Sequence, residues 1–352
     1  MTVALANTLT SRWAAAADGP AAFSGAGVYP LLALLAGVAS GPARDELLAV
    51  APSPLELPAS GAVRAAAGVW TRHDLPLAPG WDAGSRLSGD PAADRARLDA
   101  WAARSTGGLV PALPVAVDED TALVLASALA VETQWRRPFD DAVMTPAGGP
   151  WSGLRLPSLS RGHVAADALA PLRATGGVTL LTVEGSEDVD VVLCLGAPPA
   201  APGAVLATAI DGFAGAAPAT AGPGVHAEEV DATDPAPELV VSLPSFDVTA
   251  GHDLLTMPDL FGLRTAARDG TFPGISPVDL AVSSARQQAL ARFTALGFQA
   301  ATVTALAMFP LAFHPPTARR LRVTVTFDRP FGYFAVHRPT GLVLVAGWVR
   351  RP

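Results

Sequence analysis

Lysine is absent from the 352-residue sequence, and all 24 of its basic side chains are arginine. A lysine that forms a Schiff base with a substrate or with pyridoxal phosphate is therefore excluded, as is a phosphate-binding loop ending in Gly-Lys-Ser/Thr. Only one cysteine is present, Cys194, which excludes an intramolecular disulfide and a zinc site built from cysteines. Because Cys194 lies in an apolar run, we predict a buried and inert thiol.

Charged residues are also scarce, at 16% of the sequence, and the formal net charge is −8. A nucleic-acid-binding protein needs a basic surface to replace counterions, so we expect no nucleic acid as a partner. The two long uncharged stretches, residues 20–43 and 191–210, are interrupted by prolines, and we expect no membrane span. Arg12 interrupts the pattern of a secretory signal, which favours the cytoplasm.

Helical periodicity comes early in the chain and strand patterns come later. We predict helices over residues 3–17, 28–38, 42–48 and 94–105. We predict strands over residues 121–131, 177–183, 189–195, 239–243 and 321–327, followed by a hairpin within residues 332–349. No linker separates two cores, so the sequence predicts one α+β domain over residues 1–352.

Motifs for enzyme chemistry are missing. The sequence has no Gly-x-Ser-x-Gly nucleophile elbow, no His-Glu-x-x-His and no Gly-x-Gly-x-x-Gly. The six histidines are scattered without the spacing of metal ligands. We therefore expect no catalytic residue, no metal and no cofactor, and the protein is not predicted to be an enzyme.

One segment combines two contradictory patterns. Residues 293–318 contain no Asp, Glu or Arg, and the stretch 298–309 is built from small and strand-forming residues, as in a strand buried in a sheet. The prolines that follow, Pro310, Pro315 and Pro316, are typical of an exposed loop. A core strand followed by a proline-rich connection also explains the pattern.

Motifs spread over most of the chain resemble the serpin family, in the right order. They are Phe23-Ser24, Trp101 with Thr106 and Gly108, Trp135 with Pro138-Phe139, Leu243-Pro244-Ser245-Phe246, Phe272 with Ile275-Ser276, Phe327-Asp328-Arg329-Pro330-Phe331, and Gly347 with Val349 and Pro352. The ordered set is specific, although each motif alone is weak.

The resemblance implies an α+β serpin fold with three β-sheets, eight or nine helices and an exposed reactive-centre loop near the C-terminus. In inhibitory serpins a serine protease cleaves this loop and forms a covalent acyl complex, and the loop then inserts into the largest sheet. The resemblance therefore implies a monomeric inhibitor whose partner is a serine protease. It leaves an extracellular location open.

The resemblance also identifies the parts of the loop. Gly297 matches the hinge glycine, and the insertion segment continues through Phe298, Gln299, Ala300, Ala301, Thr302, Val303 and Thr304. The scissile bond falls near Leu311-Ala312, to within about two residues by the family's spacing. A neutral leucine there implies a chymotrypsin-, subtilisin- or elastase-like target.

Several positions depart from the inhibitory pattern. Ala295 and Leu296 replace the acidic residues before the hinge glycine, and the bulky Phe298 is expected to enter a tight gap with difficulty, since overpacking costs about 1–3 kcal/mol. The region where the sheet opens is represented by Ser24, Ser127, Trp135 and Gln287. These departures favour, as the alternative, a serpin-fold binding or carrier protein that does not inhibit.

Overall fold

The structure is a computed structural model that describes residues 1–19, 21–81, 85–113, 117–118, 121, 123–268, 272–282, 284–298 and 317–352. Six α-helices and three short 3₁₀ helices lie within these residues. The α-helices are α1 (Thr2–Ala16), α2 (Gly25–Val38), α3 (Gly41–Val50), α4 (Pro91–Thr106), α5 (Pro202–Gly212) and α6 (Pro258–Phe261). The four helices predicted from periodicity are confirmed as α1 to α4.

Local signals fix the ends of the helix α4. The Asp90 side chain accepts hydrogen bonds from the backbone N–H groups of Ala92 (2.9 Å) and Ala93 (3.1 Å), which satisfies donors that the first turn leaves free. Gly107 ends the helix with φ +64°, a left-handed conformation that glycine adopts without strain.

The described strands form four sheets. The six-stranded sheet contains, in spatial order, β10 (Ala217–Pro218), β7 (Leu172–Thr175), β8 (Val178–Val183), β9 (Val189–Leu195), β17 (Phe331–His337) and β18 (Leu342–Val349). The five-stranded sheet contains β11 (Val225–Ala232), β16 (Ala318–Thr326), β12 (Glu238–Pro244), β6 (Leu156–Val164) and β5 (Asp140–Met144).

The two remaining sheets are smaller. One contains β2 (Ser85–Leu87), β1 (Val63–Arg72) and β3 (Leu123–Val131), and the other contains β13 (Phe246–Asp253), β14 (Arg286–Phe293), β15 (Gly297–Phe298) and β4 (Thr133–Gln134). Since β3 continues almost directly into β4, the two small sheets are the halves of one divided sheet. The resemblance predicted three sheets, and the fourth arises from this division.

The hairpin of β17 and β18 is buried on both faces. Every residue of the two strands is buried, because α1, α2 and α5 contact the hairpin while Tyr333 packs against Phe246 of the divided sheet at 4.9 Å. At Gly347 an added Cβ would lie 2.0 Å from the carbonyl oxygen of Ala21, so only glycine fits there. The hairpin predicted for residues 332–349 is confirmed.

Apolar side chains from Ala6 to Val349 form one continuous core, and a smaller cluster lies under α4 around Trp70 and Leu98. No helix among the described residues is long and apolar enough to cross a membrane.

Cys194 provides a test of how closely the core is packed. Its side chain is fully buried in β9, and burial raises the pKa of the thiol well above its usual range. We predict that the folded protein does not react with Ellman's reagent at pH 8, and that it releases one thiol equivalent in concentrated guanidinium chloride. Rapid reaction of the folded protein would contradict this packing.

Candidate functional site

A slot separates the two halves of the divided sheet. Its walls are β3, which pairs on its other side with β1, and β14, which pairs on its other side with β13. Below β15, no described strand pairs with the inner edge of either wall. A cavity of about 420 Å³ lies between the walls. Its lining includes, from β3, Ser127 and residues 129–131, and from β14, residues 287–290 and Arg292. Such edges present backbone donors and acceptors to an added strand.

The upper end of the slot is occupied by β15, the start of the expected loop. Phe298 is opposite Phe293 of β14 and Thr133 of β4, and both pairings are antiparallel. The Phe298 side chain is 0% exposed, with its ring 6.3 Å from the ring of Tyr333. The aromatic core behind the sheet accommodates the ring, and the effect of its bulk on insertion stays a prediction.

Trp135 holds the turn that leads into β15. Its backbone N–H donates to the carbonyl of Leu296 (2.9 Å), and its indole N–H donates to the carbonyl of Thr294 (2.9 Å). The Trp135 ring lies 4.5 Å from the ring of Phe293. A neighbouring residue adds a further contact, since the N–H of Phe139 donates to the carbonyl of Ala295 (2.8 Å). Trp135 and Gly297, predicted separately from the sequence, are thus brought together.

Lower in the slot, Gln287 ties β14 to the start of α2. The backbone N–H of Ser24 donates to Gln287 Oε1 (2.7 Å), and Gln287 Nε2 donates to the carbonyl of Ser24 (2.8 Å). The Ser24 hydroxyl donates to the carbonyl of Leu344 in β18 and accepts from the N–H of Gly27 (2.8 Å). An added Cβ at Gly27 would lie 3.3 Å from Gln287 Nε2, so glycine leaves room for this amide.

Ser127 lies on the opposite wall. It lines the cavity from β3, and no hydrogen bond among the described residues joins it to Ser24 or Gln287. These polar contacts therefore join β14, and not β3, to the start of α2.

The other predicted loop residues fall outside the described part of the chain. They are Gln299, Ala300, Ala301, Thr302, Val303, Thr304, Leu311 and Ala312. Among the described residues, no group of three or more His, Cys, Asp or Glu side chains could hold a metal ion.

Comparison with known proteins finds similarity to serpins. The family model described as "Serpin (serine protease inhibitor)" matches residues 227–352. "Putative serpin-Z8" from Oryza sativa subsp. japonica is 26% identical over 416 residues, covering 99% of this chain and 94% of that protein. Both comparisons agree with the serpin resemblance of the sequence motifs.

Solved structures of serpins share the fold of this chain. Native protease nexin-1 with heparin matches with a TM-score of 0.72 and 18% identity, covering 100% of this chain and 98% of that chain. Serpin48, described as a highly specific serpin in the insect Tenebrio molitor, matches with a TM-score of 0.71 and 14% identity, over the same shares of the two chains. The α+β serpin fold predicted from the motifs is confirmed.

Some residues of the site were not singled out from the sequence. Thr133 and Gln134 pair with the loop strand, and Tyr333 packs against Phe298. Phe293 was noted only as the start of the uncharged segment, although it is the centre of the aromatic cluster. No local sequence signal marks this cluster, because Trp135 and Gly297 are far apart along the chain.

The contact between Gln287 and Ser24 gives a second prediction. Replacing Gln287 with alanine leaves a buried N–H and a buried carbonyl without partners, so we expect Q287A to lower the free energy of unfolding by about 1–3 kcal/mol. Its exposed neighbour in β14 provides the control, and Q288A should change the value by less than about 0.5 kcal/mol. Denaturant titration measures the free energy of unfolding of both variants. An effect of Q287A as small as that of Q288A would show that the contact contributes nothing.

Proposed function

We propose that this serpin inhibits a serine protease by inserting its cleaved loop into the slot between β3 and β14. The observation that carries the proposal is the position of Gly297 and Phe298. They lie at the top of the slot as a short strand, antiparallel to both neighbours, so the chain that follows is directed along the open edges.

Continuing the observed register downward aligns the next residues with both walls. Steps of two residues from Phe298 would place Ala300 opposite Ala291 and Val131, Thr302 opposite Ala289 and Leu129, and Thr304 opposite Gln287 and Ser127. These three side chains have the same parity as the buried Phe298, so they would face the core. All are small and uncharged, which suits a narrow apolar slot because a buried unpaired charge is costly.

In the proposed mechanism, the driving force is the free energy released when the loop inserts as a strand. Each new backbone hydrogen bond contributes about 0.5–1.5 kcal/mol net, and burial of apolar side chains adds to this. The wall β14 is eight residues long, so a full-length strand forms many such bonds. While the loop is uncut, its length keeps it from reaching down the slot, and cleavage removes that restraint.

The protease remains attached through its serine ester to the residue at the scissile bond near Leu311-Ala312. Insertion of the upstream segment then moves the attached protease away from its docking position before water releases it. The inhibitor supplies no catalytic group and is consumed in the reaction. We propose that the inhibitor acts as a monomer.

The residue at the scissile bond sets the target. Leu311 fits the apolar specificity pocket of a chymotrypsin-, subtilisin- or elastase-like protease. A trypsin-like protease requires Arg or Lys, and the nearest arginine on the C-terminal side is Arg319, at the exposed start of β16.

The test combines target choice with the chemistry of insertion. We expect the intact protein and chymotrypsin to form a complex that survives denaturing electrophoresis. L311R should reduce the association rate constant with chymotrypsin by about tenfold or more and confer reaction with trypsin. Complete absence of a complex with every neutral-preferring protease would favour the non-inhibitory alternative, in which the loop is merely cut.

A matched pair of glutamate variants tests insertion itself. T302E places a charge on the core-facing side of the inserted strand, so it should be cleaved normally while forming little complex. Q299E places the same charge on the opposite side near the top of the slot, and it should form the complex as the parent does. Equal trapping by both variants would contradict the insertion register.

A further inference from the structure

Two arginines, Arg137 and Arg161, lie close together near the segment that leads into β15. We call them the arginine pair. Arg137 belongs to the turn between Trp135 and Phe139, which contacts the segment leading into β15. Arg161 lies on β6, two strands away from β16, where the chain resumes after the loop. The N–H of Thr317 fixes that end of the loop by donating to the carbonyl of Ala232 (3.0 Å).

The position of Arg161 is fixed by contacts on its own chain. Its guanidinium carbon lies 4.3 Å from the centroid of the Phe139 ring, a cation–π contact. Its Nη1 donates to the carbonyl of Arg137 (2.5 Å). In β6, Arg161 has the same parity as the buried Leu159 and faces the interior side of the sheet. The guanidinium is therefore held in one place and half-buried, and its other donors have no hydrogen-bond partner among the described residues.

Neither member of the pair has an acidic partner in the described residues. No described carboxylate lies within 4.0 Å of either guanidinium, and the nearby Glu184 is paired with Arg136 at 3.4 Å. Burial, and secondly the charge of Arg137, lower the pKa of Arg161 to about 10 against the opposing charge of Glu184, so the side chain is still charged at neutral pH. His163, two residues further along β6, has its pKa lowered by burial and by Arg137, with Asp167 opposing the shift.

The reactive loop cannot supply the missing negative charge, because residues 293–318 contain no Asp or Glu. Two adjacent cations, one half-buried, are unfavourable unless an anion compensates them. A guanidinium binds carboxylate, sulfate or phosphate through parallel hydrogen bonds, and it gives up water more readily than an ammonium group does.

We propose that the arginine pair is a binding site for a small free oxyanion, such as sulfate or phosphate. The anion bridges Arg137 and Arg161 while Arg161 stays stacked on Phe139. Since the N–H of Phe139 donates to the carbonyl of Ala295, a bound anion steadies the turn that leads into β15. The argument for this site does not rest on the proposed protease inhibition.

Titration of the intact protein with sodium sulfate and sodium phosphate tests the site, with sodium chloride at the same ionic strength as reference. We expect saturable binding by calorimetry and a saturable rise in melting temperature. Sulfate also stabilises proteins generally by exclusion from their surface, but that effect does not saturate. Each of the variants R137Q and R161Q should weaken the binding by about tenfold, as expected for loss of a charge-assisted contact.

The control is R155Q, which removes an exposed arginine just before β6 that has no ion pair among the described residues. It should bind sulfate as the parent does. If R161Q is less stable than the parent in chloride because the stacking on Phe139 is lost, the binding measured for R137Q alone tests the proposal. Absence of saturable binding in the parent protein, or equal weakening in R155Q, would overturn the proposal.

Discussion

The structure depends on one constraint: the backbone donors and acceptors on the two inner edges of the divided sheet need hydrogen-bond partners. In the described part of the chain, β3 and β14 present their inner edges to a slot that is closed by β15 only at the top. Only an extended chain satisfies backbone donors and acceptors on both sides at once. The uncharged segment after Gly297 has the composition that such a strand needs, and it starts at the right place with the right direction.

The two ends of the slot are held by different chemistry. At the top, an aromatic cluster around Trp135 and Phe293 fixes the turn, and Phe298 fills the space beside Tyr333. Lower down, the amide of Gln287 makes two hydrogen bonds with the backbone of Ser24. The upper contacts join β14 to the chain that continues from β3 through β4, and β3 itself pairs with β1 and contacts both α2 and α4.

Much of the fold was predictable where a strand is apolar on both faces, or where the residues that start and end a helix are distinctive. The strands β3, β9 and β18 are apolar runs, and α4 has an N-terminal cap with a glycine end. The strand β14 was not predicted, because Arg286, Gln287 and Gln288 conceal its alternation. The helix α5 was missed within a segment rich in proline and glycine. The buried position of Phe298 was not predicted, because residues distant in sequence surround it and no local pattern reveals them.

The melting temperature of the protein before and after a single cut between Phe309 and Phe313 tests the central claim most directly. Insertion of the freed segment between β3 and β14 adds several kcal/mol of hydrogen bonding and burial, so we predict a rise of roughly 10 °C or more in the cut protein. An unchanged or lower melting temperature in the cut protein would contradict the account, because the open edges would then not be taking up the loop.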